Sequence, residues 1–172
     1  AYGALLKGAL GSPQAIANSI SKSVPLAFTG LAVAMGQRCG MLNIGAEGQL
    51  HAGAMAAVIT ALTLSFLPSF LLLTVSIGAG ILAGMAVGSV PGIFRAKYKT
   101  NEVIVAIMLN YICTLFTSWL VNGPYKVAGS TAQTELISEG IWFRKLLPRT
   151  QLTTAVLILI VVAVLAYLFL WK

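Results

Sequence analysis

Charge is what this chain has least of. Its 172 residues hold no aspartate, four glutamates, one histidine and eleven Lys or Arg, so that 9% are charged and 58% are hydrophobic. A soluble domain carries about a quarter charged residues. So few charges cannot cover a surface in water, and the mean hydropathy of +0.92 makes a lipid bilayer the natural solvent. Cysteine is almost as scarce. Cys39 and Cys113 lie in different segments without a CxxC neighbour, which leaves redox and metal chemistry unsupported. A lone His51 makes no metal site and is assigned to helix packing or a local hydrogen bond.

Catalytic constellations are missing too. The sequence has no phosphate loop, no nucleophile set beside a base, and no pair of carboxylates at useful spacing. An enzyme is not expected. There is no initiator Met and no leader with a cleavage site; the chain opens on AYGALLKGALG and stops at LFLWK directly after an apolar run. It is expected to be a piece of a longer polypeptide. The formal charge of +7 would suggest nucleic acid in a soluble protein. Here the basic residues sit in short clusters between apolar runs, as topology determinants do, so no nucleic-acid partner is expected.

What is present is a series of apolar runs, each near the roughly 20 residues that cross a bilayer. Residues 1–22 read as a loop leading into a short surface helix. VPLAFTGLAVAMG, 24–36, is apolar but short for a span. The second span runs from Leu50 to Leu67 and stops near Pro68. The third, 69–94, carries Gly80, Gly84, Gly88 and Gly92. Residues four apart share one helix face, and such a strip lets a second helix approach closely in lipid. RAKYK, 95–99, ends it. The fourth span, 100–121, has Thr100 or Asn101 to cap its first turn and Glu102 at the positive end of the helix dipole. Asn110 falls in its middle, where an amide usually bonds to another helix.

Residues 122–151 form the one long polar segment, in which IWFRKLL has the make-up of a short helix lying on the membrane surface. The fifth span is 152–172, with Trp171 and Lys172 marking the interface. The expected fold is therefore all-α: a polytopic transmembrane bundle of about five spanning helices, one short or broken near 38–49, plus an interfacial helix in an external loop. Residues 1–172 are expected to form a single transmembrane domain. Counting alternate sides puts Arg38, RAKYK and Lys172 in the cytoplasm and the long loop outside.

GMLNIGAEGQLHAGAM, 40–55, interrupts the oil with Asn43, Glu47, Gln49 and His51. A carboxylate near the bilayer centre costs ~2.5–3.5 kcal/mol on insertion scales, and the glycines lower helix propensity further. Two readings are compatible with that. Residues 38–49 form an ordinary wet turn, or they form a broken helix lining a polar pathway, where irregular backbone is sheltered by protein or faces water. The shortness of the run before them favours the second.

Two motifs then resemble a known family. GLAVAMGQRCGMLNIGAEGQ, 30–49, is similar to the GLAVAFAFRAGLFNIGAEGQ-type signature of bacterial ABC-transporter permeases for nucleosides and simple sugars, relatives of the ribose and branched-chain amino-acid permeases. KTNEVIVAIMLNYI, 99–112, resembles the TNEVIVTIMLNYI element of that branch. The intervening Gly-rich span ending PGIFRAKY has similar spacing. Gln37 and Cys39 depart from the signature, where aromatic or small residues are commoner.

The resemblance implies an inner-membrane, multi-pass permease subunit of an ATP-driven importer. It implies a second permease subunit, the same or different, cytoplasmic ATPase subunits that bind ATP and Mg, and an extracytoplasmic solute-binding lipoprotein. No cofactor is expected in this chain. The motif-matching residues are Asn43, Gly45, Glu47, Gly48, Gln49, Asn101, Glu102 and Asn110. Of these, Asn43, Glu47, Gln49 and Asn110 are the candidates for the substrate pathway, and Asn101 and Glu102 for capping or gating. The family is about twice this length, so the chain corresponds to an amino-terminal half without its first helix. The competing readings are an ion-coupled secondary transporter with its site around Glu47, and an intramembrane enzyme or structural subunit.

Overall fold

The computed structural model describes residues 2–129, 131–146 and 150–171, the side chain of Trp171 excepted. The interfacial role expected of Trp171 and Lys172, and the Leu147 end of IWFRKLL, lie outside the described residues. The described residues form six α-helices and one 3-10 turn, with no β-strand beyond a single bridge between Lys145 and Thr153. They fall into two compact units, residues 1–38 with 143–172, and residues 39–142.

In the first unit α1 (Tyr2–Leu10) packs on α2 (Pro13–Arg38), and α2 packs on α6 (Ala155–Trp171). The first helix and a half were expected to be loop and short surface helix. Instead α2 is continuous over 26 residues with Pro25 inside it, roughly 39 Å at the α-helical rise. Its polar half holds because its side chains find partners. The Ser12 hydroxyl accepts from Ala15 N–H at 3.1 Å, capping a helix that opens on Pro13. Asn18 Oδ1 accepts from Gln151 N–H at 3.0 Å, and Ser21 donates to the Gln151 carbonyl at 2.6 Å. Reading the helix from apolar residues alone therefore started it too late. The shortness of the 24–36 run no longer argues for a broken helix.

The expected surface helix over IWFRKLL is also corrected. The 3-10 turn Glu139–Ile141 is followed by extended backbone at Trp142. Leu146 N–H donates to the Leu152 carbonyl at 2.8 Å and Thr154 N–H to the Arg144 carbonyl at 3.1 Å. These groups pair across the chain rather than four residues back, and α6 accordingly begins at Ala155 rather than 152.

In the second unit α3 (Ala46–Thr63) lies against both α4 (Ser69–Tyr98) and α5 (Glu102–Asn122), which also touch each other. Ala61, Leu72 and Ile141 make a small core where the 3-10 turn meets α4, with Leu64, Leu67, Leu73 and Ile137 around it. α3 starts at Ala46, earlier than the expected Leu50, so Glu47, Gln49 and His51 lie within its first turns.

α4 ends at Lys99, a non-glycine residue in the left-handed region (φ 52°), whose N–H donates to the Arg95 carbonyl. This is the helix-terminating conformation glycine usually supplies. α4 and α5 are long and apolar enough to cross a membrane. Among the described residues these two alone meet both criteria; α6 is apolar but shorter. Ile81, Leu82 and Met85 on α4 and Ile112, Leu115 and Phe116 on α5 are exposed. Outward apolar faces of this kind suit lipid as the solvent.

Candidate functional site

The polar stretch resolves into a turn, residues 39–45, and the first turn of α3. The chain reverses at Gly40, whose φ of +72° is readily available to glycine. α3 then starts without a side-chain cap of its own, since Gly45 stands at its N-cap position. A helix start leaves backbone N–H groups without intrahelical partners. Asn110, in the middle of α5, supplies the missing cap from another helix. Its Oδ1 accepts from Gly48 N–H at 2.8 Å, and its Nδ2 donates to the Ile44 carbonyl at 3.0 Å.

Gly48 is what lets α5 come so near. A Cβ there would stand 2.8 Å from Asn110 Oδ1 and 3.1 Å from Asn110 Cα. Asn43 and Gln49 satisfy each other: Gln49 Nε2 donates to Asn43 Oδ1 at 3.0 Å, and Asn43 Nδ2 reaches Gln49 Oε1 at 3.5 Å. The Gln49 amide lies over Gly88 of α4, where a Cβ would meet Nε2 at 3.1 Å.

The glycine strip of α4 faces α3 and the turn before it. Gly80 meets Gly53 of α3: a Cβ on Gly80 would lie 3.0 Å from the Gly53 carbonyl oxygen, and one on Gly53 2.9 Å from that of Gly80. Gly84 lies over the Gln49 carbonyl, Gly88 over the Gln49 side chain, and Gly92 over Met41. Small residues here bring backbones together, as they do where helices pack in lipid.

Asn101 and Glu102 lie apart from this cluster, at the start of α5. Asn101 Oδ1 accepts from Val103 N–H at 3.0 Å and caps the helix. Glu102 pairs with Arg95 at 2.6 Å, and the same Arg95 Nη1 donates to the Gly40 carbonyl at 2.7 Å. Arg95 therefore ties the end of α4, the start of α5 and the polar turn together. Sequence reasoning passed over it as one charge in RAKYK.

Of the four pathway candidates, the structure gathers all around one place but uses them differently. Asn43, Gln49 and Asn110 are engaged in holding the turn. The Glu47 carboxylate is exposed and, among the described residues, makes no ion pair or side-chain hydrogen bond. With Ile107, Asn110, Tyr111 and Thr114 it lines a partly open cavity of about 350 Å³. Those α5 residues recur at intervals of three and four, one helical face. That spacing was available in the sequence, anchored on Asn110, and was not followed outward from it.

Two of the chain's helices, α4 and α5, are long and apolar enough to cross a membrane and turn apolar side chains outward, as the helices of a membrane protein do. Residues 15–172 match the family described as branched-chain amino acid transport system / permease component. The chain belongs to that family. It is 35% identical over 147 residues to the nucleoside ABC transporter permease protein NupB of Lactococcus lactis subsp. cremoris, a match covering 83% of this chain and 40% of the relative. Guanosine ABC transporter permease protein NupP of Bacillus subtilis is 36% identical over 70% of this chain and 34% of its own length. Glucose ABC transporter permease protein TsgB13 of Haloferax volcanii is 36% identical over 72% and 32%. The chain thus spans less than half the length of these relatives. No solved structure matches it.

Proposed function

We propose that this chain is part of a permease subunit of an ATP-driven importer, and that α3, α4 and α5 contribute to the path of a nucleoside or simple sugar across a bacterial inner membrane. Family membership supports the importer class, and the names of the relatives supply the solute classes. The observation that carries the conduit part is the Glu47 carboxylate, which stands on an open cavity with no cation beside it among the described residues. An unpaired carboxylate in a membrane helix is costly unless it meets water or solute.

The finer parts of the reading go with it. About five helices span the membrane, Glu47 faces the pathway, and Asn43, Gln49 and Asn110 keep its turn in place. Asn101 and Glu102 hold the cytoplasmic start of α5. ATP and Mg are bound by partner ATPase subunits, a second permease subunit completes the conduit, and an extracytoplasmic binding lipoprotein delivers the solute.

The test is uptake of labelled nucleoside or sugar into vesicles carrying the assembled importer. Uptake is expected to require ATP and its ATPase, and to fall roughly tenfold or more in Glu47→Gln, the loss of one charge-assisted hydrogen bond. Uptake that persists without the ATPase and collapses with the proton gradient would instead establish the ion-coupled alternative.

A further inference from the structure

The cavity beside Glu47 has a wall that the polar turn does not need. Asn110 on that wall is engaged with Gly48 and Ile44, but its neighbours are not. Tyr111 is 69% exposed, and among the described residues neither its hydroxyl nor that of Thr114 has a hydrogen-bond partner.

One open carboxylate, two open hydroxyls, an aromatic ring and the Ile107 side chain therefore surround about 350 Å³. That lies within the ~300–1,000 Å³ of small-molecule sites, which combine apolar walls with a few convergent polar groups.

We propose that this cavity is a solute subsite for a nucleoside: the Tyr111 ring stacks on the base, Glu47 and Thr114 bond to its hydroxyl or N–H groups, and Asn110 is a positioning residue. It rests on the importer reading above and deepens it. A sugar alone offers the hydroxyls for Glu47 but not the flat face that an exposed ring and a neighbouring isoleucine are suited to cover. Asn110 acts at one remove: by capping α3 through Gly48 it sets where Glu47, one residue earlier, projects.

The test is protection from alkylation in the assembled importer. Thr114→Cys, combined with Cys39→Ser, gives this stretch of the chain one accessible thiol, because Cys113 is buried, and the increment in labelling over Cys39→Ser alone reports position 114. Nucleoside is expected to slow labelling by at least about fivefold, the low end of what one stacked base contributes. Tyr111→Phe should keep that protection, Tyr111→Ala should remove it, and ribose alone should protect less. Tyr111→Ala should leave the melting temperature unchanged, whereas Asn110→Ala should lower melting temperature and uptake together.

No protection by nucleoside, equal protection in Tyr111→Ala, or equal protection by ribose would each overturn the subsite. Uptake measured in parallel separates the two readings. Uptake without protection sinks the subsite alone; protection without ATP-driven uptake sinks the importer reading and leaves the subsite standing.

Discussion

Gly48→Ala isolates the contact on which the polar turn depends. The added Cβ would lie 2.8 Å from Asn110 Oδ1, 3.1 Å from its Cα and 3.3 Å from its N. The oxygen could swing away, but the backbone atoms belong to a helix and cannot. α3 and α5 must separate by a few tenths of an ångström, and overpacking of this kind costs about 1–3 kcal/mol. The Gly48 N–H to Asn110 bond is then stretched or lost, for about 0.5–1.5 kcal/mol. Against this stands the gain of about 1 kcal/mol from replacing glycine within a helix. The balance is a destabilisation of roughly 0.5–3.5 kcal/mol.

The control lies in the same unit. Gly78 of α4 would place its Cβ with nothing within 4 Å, so Gly78→Ala should be neutral or slightly stabilising. The assay is the melting midpoint of the solubilised permease, where about 2 kcal/mol corresponds to a fall of about 4–8 °C. If Gly48→Ala melts with the wild type, the close approach of α3 and α5 is wrong. If Gly78→Ala falls equally far, the loss reflects glycine content and not this contact.

The α3–α4 crossing should behave in the same graded way. Gly80→Ala, whose Cβ meets the Gly53 carbonyl at 3.0 Å, should lower the melting midpoint, while Gly92→Ala, which meets only the flexible end of Met41 at 3.6 Å, should not. Asn101→Ala removes the side-chain cap of α5 and should cost about 1 kcal/mol, read as the same melting shift with Asn101→Ser restoring most of it. Arg95→Ala should lower stability by no more than about 1 kcal/mol, because partly exposed ion pairs contribute little. Its larger effect should be on the turn it holds through the Gly40 carbonyl, seen as faster alkylation of Cys39 without a matching rise in Glu102→Gln.

How far the sequence carried this reading differs by element. The long apolar helices were legible because their boundaries are chemical: Pro68 opens α4, and Asn101 with Glu102 opens α5 within two residues of the expected start. The glycine strip was legible because four-residue spacing has one geometric meaning on a helix. The polar half of α2 was not, since hydropathy does not reveal that Asn18 and Ser21 find Gln151, about 130 positions along the chain. IWFRKLL failed for the same reason in reverse: its composition suits an interfacial helix, but Arg144 and Leu146 pair with Thr154 and Leu152. Partners distant in sequence decided both.

The same limit explains the candidate site. Asn43, Gln49 and Asn110 read alike from sequence, as amides stranded in oil. What separates them from Glu47 is what stands opposite. Two of the amides face each other and the third faces an uncapped helix start, while the carboxylate faces an open cavity. An amide can donate and accept, so it can close a turn against backbone groups of either kind; an ionised carboxylate only accepts. Asn110 accordingly satisfies one backbone donor and one backbone acceptor, while Asn43 and Gln49 satisfy each other. Glu47, which could accept from free N–H groups of the same first turn, makes no such bond among the described residues and lines the cavity instead. That difference in partners, and not polarity as such, is what separates Glu47 from the three amides.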